Sequence, residues 1–100
     1  MLYQIDFTIK RSPNVGIAAQ SARDAYEKLL RRFGPPTSKR YFINGDFIDA
    51  QFDDIADAVA LLSQQNDYCF LMIDFNNLSF DVVRYIKNNE YSVELSLVPW

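Results

Sequence analysis

Tyr68-Cys69-Phe70-Leu71-Met72-Ile73 is an unbroken apolar run between Asp67 and Asp74, and its reading decides the fold. Six residues are too few for a typical globular helix, and aromatic and branched side chains dominate. Asn66 before the run and Asn76-Asn77 after it supply turn chemistry, so the run is a strand. A strand apolar on both faces belongs in the middle of a sheet, covered above and below.

Downstream, Asn76-Asn77-Leu78-Ser79 leads to an expected short helix over about 80–88. Phe80, Val83 and Ile86 would form its inner face, with Ser79 as N-cap and Asn88-Asn89 at its end. Tyr91, Val93, Leu95 and Leu97 then alternate with Ser92, Glu94 and Ser96, a strand with one wet face.

Upstream, the spacing of Phe52, Ile55, Ala56, Val59 and Leu62 predicts a helix over about 52–65, with Asp53 and Asp54 in its first turn. Before it, Arg40-Tyr41-Phe42-Ile43, Asn44-Gly45 and Asp46-Phe47-Ile48-Asp49 read as a hairpin. A type I′ turn needs positive φ at both central residues, which Asn-Gly supplies. That register sets Phe42 opposite Phe47 and Arg40 opposite Asp49.

The first helix is expected from Ser21, with Ser21 and Asp24 resembling a capping box. Ala22, Ala25, Tyr26, Leu29, Leu30 and Phe33 form its stripe, Gly34 its left-handed cap and Pro35-Pro36 its stop. Val15–Ala19 alternates weakly, so it is read as a second strand closing a hairpin, or as an irregular lead into the helix. Tyr3, Ile5, Phe7 and Ile9 predict a first strand with odd positions inward.

The expected order is β(β)α-ββ-α-β-α-β in one domain, residues 1–100. This is an α+β two-layer sandwich: a mixed sheet of four to six strands under three helices. Its core follows the ferredoxin-like order with an added helix–strand unit, an order that carries no function by itself.

Apolar residues make up 49% of the chain and aromatics 15%, a composition that folds. No apolar run approaches the roughly 20 residues that cross a bilayer, and the first residues do not resemble a secretory signal. A single cysteine excludes an internal disulfide and fits a reducing compartment, with cytoplasm the expectation. Charge is lopsided: residues 1–40 hold eight Lys/Arg against three acids, and residues 41–100 hold two against ten.

With no histidine, Ser-His-Asp and Cys-His catalysis are excluded, and no phosphate-cradling or calcium-loop motif occurs. Cys69 lies in the central strand, where an inert buried thiol is expected. An enzyme would have to run on carboxylates such as Asp74, which sits at a strand end where α/β sheets tend to bind ligands. Asp74 as a structural partner of the following turn is the plainer reading.

Asp46, Asp49, Asp53, Asp54 and Asp57 place five carboxylates in twelve residues without a cation among them. They serve either as turn, cross-strand and first-turn residues, or as a negative patch for a basic partner. A Mg²⁺ or Ca²⁺ site is a third use, although the spacing matches no known loop. No cofactor is expected.

The functional expectation is a small, acidic, non-catalytic protein that neutralises a basic, nucleic-acid-acting partner by occluding its site. An immunity protein, an antitoxin or a phage-type inhibitor is the concrete form. The alternative is a nucleic-acid-binding accessory domain using Arg23, Lys28, Arg31, Arg32 and Arg40. Tyr3, Tyr41, Tyr91 and Trp100 are candidate interface aromatics, and an edge strand offers a route to a homodimer.

Overall fold

The computed structural model describes residues 7–98. The expected inward placement of Tyr3 and Ile5, and any role of Trp100, lie outside them. The element order is β1 (Thr8–Ser12), α1 (Val15–Phe33), β2 (Ser38–Ile43), β3 (Asp46–Asp49), α2 (Ile55–Ser63), β4 (Cys69–Phe75), β5 (Leu78–Tyr85) and β6 (Tyr91–Val98). The strands form one sheet in the order β1-β6-β5-β4-β2-β3, antiparallel at every pairing. Both helices pack on the same face.

From Cys69 on, the apolar run lies in β4, between β2 and β5, and every residue of that strand is buried, whereas Tyr68 precedes the strand and is exposed. Cys69, Leu71, Ile73 and Phe75 point into the helix-side core, among Ala22, Ala25 and Leu29 of α1 and Ile55, Val59 and Leu62 of α2. Phe70, Met72 and Asp74 point the other way, where no helix lies among the described residues. Side chains from neighbouring strands cover them instead.

The expected third helix does not form. Residues 78–85 are the strand β5, paired with β4 through a two-residue turn at Asn76-Asn77. Against β4 the register slips between Leu71 and Met72, so Val82 is an extra residue in β5 and both Val82 and Val83 reach the core. This bulge resets the two-residue alternation. Inward residues at Phe80 and Val83 then stand three apart, which imitates a helical stripe. Ser79 is accordingly not an N-cap; its hydroxyl donates to Asp74 Oδ1 at 2.6 Å. The mixed sheet, three-helix count and ferredoxin-like order are replaced by two helices on an antiparallel sheet, with six strands among the described residues.

Val15–Ala19 is not a strand and Ser21 is not a cap. Helix α1 starts at Val15, and the Asn14 side chain caps it by accepting from the Gly16 and Ile17 N–H groups at 2.8 and 3.3 Å. Its buried stripe begins at Ala18 and runs through Ser21, Ala22, Ala25 and Leu29, small residues that announce a helix weakly. Gly34 ends it at φ +78°, its N–H donating to the Leu30 carbonyl.

The β2–β3 hairpin has the expected register, Phe42 opposite Phe47 and Arg40 opposite Asp49. Asn44 and Gly45 sit at φ +54° and +83°, the left-handed region that the turn requires. Helix α2 is shorter than expected and starts after Asp54, its N-cap. In β6 the alternation holds, with Tyr91 and Val93 buried and Leu95 and Leu97 against the core. Just before β1, Phe7 packs on the core as its odd number predicts, while Ile9 within the strand is 37% exposed at the margin.

Candidate functional site

Strand β3 is the last strand on its side of the sheet among the described residues, and all four of its residues are exposed. Phe47 and Ile48 keep 49% and 47% of their surface in water, unusual for neighbouring large apolar residues. They look in opposite directions. Phe47 lies on the helix-free face, its ring 5.1 Å from Phe42 and 6.1 Å from Phe70. Ile48 lies on the helix side, where a cleft of about 530 Å³ opens between β3 and α2. Tyr41, Phe52 and Leu61 give it apolar walls, and Asp49, Gln51 and Asp57 give it polar ones.

Four of the five predicted acids are exposed along the segment that runs from β3 into the first turn of α2. Asp46 and Asp49 flank Phe47-Ile48, Asp53 lies in the connecting loop, and Asp57 lies in the first turn of α2. Among the described residues none of these four forms an ion pair; Asp49 accepts only from Gln51 Nε2, at 3.1 Å. Burial pushes the Tyr41 phenol up, and the nearby Asp57 charge adds to this. Asp54 is committed elsewhere. It caps α2 by accepting from the Ala56 N–H at 3.0 Å and holds Arg23 Nη2 with both oxygens, at 2.9 and 3.0 Å. The Ala56 N–H and then Arg23 hold its carboxyl below the usual range.

The predicted basic set does not assemble. Arg23 is paired with Asp54, and the Lys28 amine lies 5.1 Å from the centre of the Phe7 ring. Arg31 and Arg32 occupy the last turn of α1, while Arg40 projects from β2 on the opposite side of the sheet. Arg40 does not bridge to Asp49, its cross-strand neighbour. Its Nε and Nη2 grip the buried Asp74 carboxylate at 2.7 and 2.8 Å, and Ser38 and Ser79 donate to the same group. Burial raises the Asp74 carboxyl, but these donors outweigh it and hold it below its ordinary value. Asp74 is therefore a structural anchor.

Sequence reasoning missed a second buried pair on this face, Asp81 with Arg84. The signal was an isolated Asp in the apolar stretch Phe80-Asp81-Val82-Val83, three residues before Arg84, but it was absorbed into the supposed helix. Asp81 is 1% exposed and its Oδ1 accepts no hydrogen bond. Burial pushes its carboxyl up to about 6, against the opposing pull of Arg84. Arg40 lies over the Phe47 ring and Arg84 over Tyr68 and Phe70. Both guanidinium groups are already matched by a buried carboxylate, so this aromatic face offers a phosphate backbone little net positive charge.

The Cys69 thiol is buried and pushed up to about 11 by that burial. A second cavity, of about 540 Å³ and lined by Phe33, Pro35, Thr37, Phe75, Asn76, Asn77 and Leu78, carries no ionisable side chain. Among the described residues no group of three or more His, Cys, Asp or Glu is placed to hold a metal ion, and no helix is long and apolar enough to cross a membrane.

Fold and surface together define an antiparallel α+β protein with an exposed acidic edge strand. Compared with protein-family models, with curated proteins and with solved structures, the chain matches none.

Proposed function

We propose that this chain is a small, non-catalytic binding protein that neutralises a basic partner through the β3–α2 surface. An immunity protein or antitoxin acting on a nucleic-acid-directed toxin is the form that best suits the chemistry, since an array of carboxylates can stand in for phosphate charge. One observation carries the reading: Asp46, Asp49, Asp53 and Asp57 are exposed and unpaired around two half-exposed apolar residues. Like charges in one segment repel one another; the Lys39 amine, 4.4 Å from the centre of the Phe52 ring that walls the cleft, offsets part of that charge from within the chain, and a cationic partner would offset the rest. Apolar anchors inside a charged rim are the usual anatomy of a protein interface. The buried thiol and the absence of any second cysteine suit a reducing compartment such as the cytoplasm.

Affinity capture from the source cells, with the wild-type chain and with the D46N/D49N/D53N/D57N variant as bait, tests this. The reading predicts a basic protein retained at low salt by the wild type and lost by the variant. Retention of the same proteins by both baits, or of no basic protein, overturns it.

A further inference from the structure

The reading above names a surface; the backbone of β3 says how a partner engages it. The Ala50 N–H donates to the Lys39 carbonyl at 2.8 Å. In an antiparallel ladder the bonded pairs alternate, so Ile48 and Asp46 also turn their backbone groups toward β2. Phe47 and Asp49 turn theirs outward. The edge therefore presents two sets of strand-pairing groups, bracketed by side chains of opposed character.

We propose that β3 accepts an added strand from a basic partner whose sequence runs basic–apolar–apolar–basic. The outer two residues of that segment lie opposite Asp46 and Asp49, and the inner two lie on Phe47 and Ile48. The pattern is the same read in either direction, so it holds for parallel and antiparallel addition alike. Main-chain hydrogen bonds supply the attachment and the alternating side chains the selectivity. The residue opposite Ile48 points toward the cleft walled by Tyr41, Phe52 and Leu61.

The same charges argue against a second copy of this chain as the occupant. Pairing antiparallel with a second copy through its outward-turned residues, β3 sets Asp49 opposite Asp49, or each Asp49 carboxylate opposite a Phe47 ring, and leaves both charges without a cation. Like charges directly opposite destabilise a strand pair, and charged side chains are a common guard on exposed edges. Cations on a partner strand, set opposite Asp46 and Asp49, supply the missing countercharge.

This inference rests on the acidic-surface reading, and the test separates the two. The isotopically labelled full chain is mixed with a ten-residue synthetic peptide carrying Lys-Val-Ile-Lys at its centre, or with a control carrying Asp-Val-Ile-Asp. Amide exchange and affinity are followed by NMR. Exchange at Phe47 and Asp49 should slow at least about tenfold with the lysine peptide only, and affinity should fall about tenfold between roughly 50 and 500 mM salt. Binding that D46N/D49N abolishes while the Phe47 and Asp49 amides stay fast overturns strand addition and leaves the acidic surface standing. A lysine peptide that perturbs nothing within residues 46–57 overturns both. Slow Phe47 and Asp49 amides in a concentration-dependent dimer of the free chain overturn the inference in favour of self-pairing.

Discussion

At the scale of single residues, the two buried carboxylates answer to pH with opposite signs. Asp81 is nearly inaccessible, its Oδ1 has no partner, and burial holds its carboxyl near 6 rather than 3.8. Between those values the folded chain holds the proton more tightly than the unfolded one. Its contribution is therefore fully present below about pH 4 and lost as pH rises through about 6. Relative to D81N, the wild type should gain roughly 2–3 kcal/mol between pH 7 and pH 4, at 1.36 kcal/mol for each pK unit. Urea titrations of both proteins across that range check this, and parallel pH profiles would contradict it. Asp74 runs the other way. Its lowered carboxyl contributes stability above the ordinary carboxylate range, and that stability is lost as pH falls below it. Arg40→Ala removes two of its four side-chain donors and should cost about 2–3 kcal/mol, less than for a fully buried pair because Arg40 is partly hydrated. Chemical denaturation reads it directly.

At the scale of elements, Asn14 and Ser21 make a clean contrast. Asn14→Ala should destabilise the protein by about 1 kcal/mol through the lost cap, whereas Ser21→Ala, within the helix body, should show no capping loss. Thermal unfolding of the two variants distinguishes them, and the reverse ranking would move the start of α1 to residue 21. That misplacement has a physical origin. The first turns of α1 bury little beyond Ala18, leave Val15 and Ile17 exposed, and so alternate like a strand. Where the signal was stereochemical rather than periodic it was unambiguous: Asn44-Gly45 fixed a turn and its register, and Gly34 with Pro35-Pro36 ended α1. The central position of β4 followed from an apolar run too short for a helix. β5 was lost because one extra residue, Val82, shifts a strand's inward positions onto helical spacing, a defect visible only once the neighbouring strands are in place. For the same reason Asp81 and Arg84 were hidden as a buried pair. The acidic surface was legible as charge density, but Asp54's service to Arg23 and α2 needed the tertiary structure, since its ionic partner lies 31 residues away.

At the scale of the whole molecule, the sheet divides the charges that the sequence had only split by halves. Helices cover one face, and the other is sealed by side chains in which each arginine meets a buried carboxylate. At the β3 margin Asp46, Asp49, Asp53 and Asp57 form no ion pair, and β3 has no further strand beside it, among the described residues. The account's central claim is that this margin is the working surface. Its most direct test is an amide-exchange map of the full chain, free and bound to the basic protein retained in the capture experiment. The account predicts slowed exchange concentrated within residues 46–57, strongest at Phe47 and Asp49. Slowing confined to the exposed side of α1, or to Phe70, Arg84 and Ser92 on the helix-free face, would contradict it.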